Sequence, residues 1–182
     1  MRRGAGVVVV AAALAAACGG SPSPGAGQST QARAHQAGSP TSTVETRWLR
    51  GLWASDIRSE VGKIGLTCKG PDIENRSSVW SCEGVTPLVS YRLRFYGSAP
   101  GKIEYLHAVV EQSGPAKDAL PLRLFGVLAG LHFDGADPAK ARVWLQTAMA
   151  AGGTTAIGPA KYKLAGDPNR REFDVKASGS EW

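Results

Sequence analysis

The chain has 182 residues and a formal net charge of +6, with 43% hydrophobic and 20% charged residues. Its first 47 residues read as export and linker sequence, which leaves 135 residues, 48–182, enough for one folded domain and too few for two. Without Arg2 and Arg3 the balance is 19 Lys and Arg against 15 Asp and Glu, or +4, less than a nucleic-acid binder of this size ordinarily carries, so no nucleic acid is expected as a partner.

Met1-Arg2-Arg3 supplies a positive start, residues 7–17 an uncharged apolar run of 11, and Ala15-Ala16-Ala17 a small-residue cleavage region. The run falls short of the ~20 apolar residues that cross a ~30 Å hydrocarbon core, so residues 1–17 are read as a cleaved signal peptide. Leu14-Ala15-Ala16-Ala17-Cys18-Gly19 resembles the lipobox of bacterial lipoproteins, with Ala15 where that family prefers leucine. The resemblance implies that Cys18 receives diacylglycerol and fatty acid such as palmitate. It also implies a lipid anchor on the extracytoplasmic face of the cell membrane, making the membrane the first partner. Ala15-Ala16-Ala17 also satisfies the ordinary A-x-A rule, which would give cleavage after Ala17 without the lipid.

An exported chain with three cysteines has one left over after a single disulfide. A thioether at Cys18 removes the odd one and leaves Cys68 and Cys82 as the expected bridge. Such a bridge closes about 15 residues and is worth roughly 3 kcal/mol in the loop-entropy account. The other reading is two reduced, buried thiols. From Cys18 to residue 47 the chain is mostly Gly, Ser, Pro, Ala, Gln and Thr, with only Arg33, Glu45 and Arg47 charged. It is expected to be a disordered tether of about 30 Å r.m.s. span.

Ser42-Thr43-Val44-Glu45 has the S-x-x-E form of a capping box. A first helix is therefore expected from there, with Leu49, Leu52, Trp53, Ile57, Val61 and Ile64 as its apolar stripe and Gly65 as a left-handed stop. Strand-like segments follow at 66–69, 79–83, 88–96 and 102–112. In the third, Val89, Tyr91, Leu93 and Phe95 alternate with Ser90, Arg92 and Arg94, the pattern of a sheet with one buried and one wet face. In the fourth, two inward sets compete, Ile103, Tyr105, Val109 and Leu106, Ala108, Val110, and the first is favoured. A second helix is expected at 119–131 and a third at 138–150, capped by Asp137-Pro138 and stopped by Gly152-Gly153. Two last strands fall at 160–165 and 171–177. The expected fold is α+β, a two-layer domain with an antiparallel sheet of five to six strands in the order α-β-β-β-β-α-α-β-β.

No G-x-S-x-G, S-x-x-K, Walker or dinucleotide pattern is present. His35, His107 and His132 lack metal-ligand spacing, so neither a metal nor a cofactor is expected. The candidate surface is basic: Arg92 and Arg94 on one strand, Lys161 and Lys163 on another, and Arg170 and Arg171 at the start of the last. On one sheet face these six could meet an anionic envelope polymer, a lipid headgroup or an acidic envelope partner protein. The bland reading is a solvated face with Glu104, Glu172 and Asp174 as cross-strand partners. The function expected is a non-catalytic binding or assembly-accessory domain on a lipid anchor. The alternatives are capture of a small ligand or anionic polymer by the sheet face, or an unrecognised extracytoplasmic hydrolase.

Overall fold

The computed structural model describes residues 47–180; the signal region, Cys18, the tether and the 42–45 capping box lie outside the described residues. The elements run α1 (Ala54–Gly62), β1 (Thr67–Glu74), β2 (Ser77–Val85), β3 (Val89–Ala99), β4 (Lys102–Gln112), α2 (Ala119–Ala129), α3 (Pro138–Ala151), β5 (Gly153–Ile157), β6 (Ala160–Asp167) and β7 (Arg170–Ala177). The seven strands form one antiparallel sheet in the order β1-β2-β3-β4-β7-β6-β5. The fold is thus α+β, and the sheet has one strand more than the sequence pattern indicated.

That extra strand is β5. Its sequence, Gly153-Thr154-Thr155-Ala156-Ile157, reads as a loop after a glycine stop, and only Ile157 is buried. What makes it a strand is pairing with β6, from Gly153 opposite Leu164 to Ile157 opposite Ala160. The β1–β2 hairpin was likewise longer than expected. Its tight turn holds Asn75 and Arg76 at φ 48° and 68°, the two positive angles of a turn that follows the sheet's twist.

The first helix is shorter than the apolar stripe suggests and starts at Ala54. Residues ahead of it are claimed by other bonds: the Leu49 N–H donates to the Ile103 carbonyl at 2.7 Å and the Asp134 N–H to the Arg50 carbonyl at 2.7 Å. Directly after them Gly51 sits at φ +80°, a left-handed position incompatible with a continuous helix. Leu49 and Leu52 are still buried, because these turns fold back on the core. Asp56 accepts from the Trp53 N–H at 3.1 Å at the helix start. Trp53 itself is exposed, not core, and covers Gly101 in the β3–β4 turn.

The three helices pack on one face of the sheet. Ile57 and Val61 of α1, Leu124, Phe125 and Leu128 of α2, and Ala141, Leu145 and Ala148 of α3 bury there against inward residues of the strands, the edge strands adding only Ile157 of β5 and the half-buried Cys68 of β1. Two aromatic groups mark the layer: Trp80 stacked on Phe95 at 5.1 Å, and Phe173 amid Phe125, Tyr162 and Trp144 at 5.2, 6.2 and 6.4 Å. In β3 the expected alternation holds, with Val89, Tyr91, Leu93 and Phe95 inward.

In β4 the favoured inward set is corrected. Ile103 faces the helices, but Glu104 is left unpaired between the Gly97–Ile103 and Tyr96–Tyr105 partners. This one-residue bulge resets the phase, so Leu106, Ala108 and Val110 go inward while Tyr105 and Val109 turn to the other face.

Candidate functional site

The strand register places the outward side chains of β2, β3, β4, β7 and β6 in rows across the face away from the helices. One row runs Ser81, Arg94, His107, Asp174, Lys163; the next holds Tyr96, Tyr105, Lys176, Lys161. On this face Ser81, Glu83, Arg92, Arg94, Tyr96, His107, Val109 and Arg170 line a cleft of about 320 Å³.

Asp174 is the most buried charged side chain there, at 7% exposure. It survives burial because it is hydrogen-bonded twice through one oxygen: the Tyr105 hydroxyl donates to Oδ1 at 2.6 Å, and His107 Nδ1 lies 2.7 Å from the same atom. A carboxylate only accepts, so Nδ1 carries the proton and Nε2 is left to the cleft that His107 lines. The Asp174 bond holds the His107 pKa above its ordinary value, against the opposing effect of burial. Burial, with Asp174 adding to it, pushes the Tyr105 phenol far above its usual range, so it stays a donor.

The raised His107 pKa fixes the sign of one expected result. Protonation is favoured by folding, so this pair's contribution to stability is fully present below the unfolded value near 6.5 and is lost as pH rises through the folded pKa. The urea midpoint of the wild type should fall relative to that of His107→Gln as pH goes from about 5.5 to about 8.5. A constant difference between the two would show that the pair is not coupled to folding.

The arginines are held at the rim by carboxylates. Arg92 pairs with Glu111 at 2.8 Å and Arg94 with Glu74 at 2.6 Å. Arg170 joins Glu111 at 2.5 Å and Glu172 at 2.9 Å. Tyr96 stacks on Tyr105 at 5.6 Å with Arg94 over its ring at 5.3 Å.

The six expected basic residues are therefore divided. Arg92, Arg94 and Arg170 gather at the cleft. Lys161 and Lys163 share the face but lie on β6, three strands from β3, about 14 Å at ordinary strand spacing. Arg171 is corrected outright, since its partner in register is the inward Val110. Its guanidinium is buried and donates to the Met149 carbonyl at 2.8 Å, satisfying the C-terminal turn of α3. Alternation alone could have found this, because Arg171 is in phase with Phe173 and Val175. Of the acidic partners considered, Glu172 pairs with Arg170 and Asp174 with His107.

Cys68 and Cys82 stand directly opposite each other on β1 and β2 and form a disulfide, with S–S 2.03 Å. Cys18 lies outside the described residues.

His107 bonded to Asp174 has the form of the base and orienting pair of a nucleophilic triad. The hydroxyl on the same row, Ser81, lies two strands away, about 10 Å, beyond the ~3 Å such a triad needs. Among the described residues no three His, Cys, Asp or Glu side chains come together as a metal site, and no helix is long and apolar enough to cross a membrane. A larger groove of about 560 Å³ lies on the helix side, but its walls carry opposite charges, Asp56 and Glu60 facing Arg123 and Arg142.

The structure thus defines an α+β protein with helices on one face of a seven-stranded antiparallel sheet and a donor-rich cleft on the other. Comparison with protein-family models, with curated proteins and with solved structures returns no match.

Proposed function

We propose that the chain is a lipid-anchored cell-envelope lipoprotein, acylated at Cys18, whose domain at 48–182 is a non-catalytic binding module held near the extracytoplasmic surface of the membrane. The partner meets the uncovered face of the sheet. The observation that carries this reading is the one-sided architecture: all three helices of the described residues pack on one face, and the other presents a cleft lined by His107, which the buried carboxylate of Asp174 holds. A titratable group in a cleft wall, tied to a buried charged partner, is a common mark of a binding site. The anchor is supported by the leader and by Leu14-Ala15-Ala16-Ala17-Cys18.

Two measurements test it on intact cells. Cys18→Ala should abolish labelling by fatty acid and leave the protein unprocessed or released; unchanged labelling and retention would contradict the anchor. A photo-cross-linker at Ser90, outward on β3, should capture a specific envelope component, whereas one at Gln146 on α3 should not. Capture from Gln146 alone would place the interface on the helices and refute the open-face reading.

A further inference from the structure

The cleft's donors outnumber its acceptors. His107 lines the cleft and uses Nδ1 on Asp174, which leaves Nε2 as the ring nitrogen it can offer a ligand. Arg92 and Arg94 stand two residues apart on β3, about 7 Å along the strand, with His107 directly across from Arg94. Arg170 reaches in from β7, sharing Glu111 with Arg92. Arg94 Nε is shielded from solvent and has no acceptor. These donors come from three strands, so they approach an anion from more than one side. A tetrahedral phosphoryl group presents its oxygens in several directions and suits them better than a planar carboxylate.

The geometry points to this cleft as a binding site for a single phosphoryl group, held by Nε2 of His107 together with the guanidinium groups of Arg92 and Arg94. The inference rests on the open-face reading and adds the ligand chemistry and the contact atoms. The ion pairs at the rim do not prevent it. The side chains of Arg92, Arg94, Glu74 and Glu111 are 36–50% exposed, and exposed pairs of this kind contribute little to stability, so an incoming anion can take over the guanidinium donors. Those same carboxylates, with Glu83 and Glu172, intersperse negative charge over the face. An extended polyanion would meet them all, while one phosphoryl group in the cleft meets three arginines and His107 against Glu83.

Binding is pH-dependent for a specific reason. Neutral His107 keeps its proton on Nδ1 for Asp174 and turns a lone pair on Nε2 toward the ligand, which repels an oxyanion; the imidazolium donates there instead. The charged and titratable groups that face His107 are Arg92, Arg94 and Tyr96 on β3, Glu83 on β2, Arg170, Glu172, Asp174 and Lys176 on β7, Lys163 on β6, and Tyr105 and Glu111 on β4 itself.

The test follows the imidazole proton resonances of the full chain carrying Cys18→Ala, titrated with inorganic phosphate and, separately, with glycerophosphoglycerol. The diester keeps one negative charge throughout, so any change in its affinity with pH belongs to the protein. Saturable movement of the His107 resonance is expected, with His35 and His132 still, and diester affinity about tenfold weaker at the alkaline end. Arg92→Gln and Arg94→Gln should each weaken binding about tenfold with an unchanged urea midpoint, and His107→Gln should remove the pH dependence. Tighter binding of the diester assigns a lipid-headgroup source; tighter binding of inorganic phosphate assigns the free ion. Equal drift of all three histidines, absence of saturation, or full pH dependence in His107→Gln overturns the inference. Capture from Ser90 without phosphate binding would sink the phosphoryl site alone, whereas loss of both would sink the open-face reading with it.

Discussion

Phe173→Ala is expected to lower the stability of the domain by about 3–5 kcal/mol, roughly a fifth or more of the ~5–15 kcal/mol that holds a typical domain together. Phe173 is fully buried at the point where β7 meets α2 and α3, and its ring touches Phe125, Tyr162 and Trp144. Truncation removes the transfer free energy of the ring and leaves a cavity that three other rings cannot collapse to fill. The urea midpoint should drop with little change in slope. The same change should reach the cleft. Asp174 follows Phe173 on β7 and faces the opposite side, so a displaced strand carries Asp174 away from His107. The His107 pKa is then expected to fall toward its ordinary value of about 6.5. A loss under about 1 kcal/mol, with His107 unmoved, would show that this aromatic group does not set the position of β7.

Removing the disulfide with Cys68→Ala and Cys82→Ala should cost about 3 kcal/mol, and its effect should be local first. β1 is an edge strand whose residues are exposed along almost its whole length, so little apolar burial holds it. The bond to Cys82, which is fully buried on β2, ties it to the core. Amide exchange should therefore lose protection over 67–74 while β3, β4 and β7 keep theirs. Glu74, the partner of Arg94, sits at the end of β1, so this variant should also free the Arg94 guanidinium at the cleft rim. Unchanged protection in β1 would mean that ladder hydrogen bonds alone hold the edge. Alkylation of the wild type without reductant should label neither cysteine.

Much of the architecture was legible in local patterns. Alternation in β3 set its buried face, Asp137-Pro138 set the start of α3, where the Asp137 carboxylate accepts from the Lys140 N–H at 2.9 Å, and the Cys68–Cys82 spacing fitted a bridge. Local patterns failed where a non-local partner changed the outcome. The bulge at Glu104 shifted the phase of β4, bonds to Ile103 and Asp134 displaced the start of α1, and β6 recruited a glycine-threonine loop as β5.

The cleft was the least legible part. His107 and Asp174 are 67 residues apart, and neither stands in a recognisable motif. Only the pairing of β4 with β7 sets them face to face, with Tyr105 as the third member. Read alone, His107 is an ordinary mid-strand residue, and Asp174 a partner for one of the strand's lysines.

Sequence by itself determined the class of fold and the periodicity of most elements, because each depends on residue types a few positions apart; the cysteine count pointed to the Cys68–Cys82 pair that the structure shows, and the N-terminal residues carry the proposed anchor. Tertiary structure decided which way β4 and Arg171 face and which side chains meet in the cleft. Strand register and order are set by the collective packing of one buried layer, and a one-residue shift in that register exchanges inside for outside.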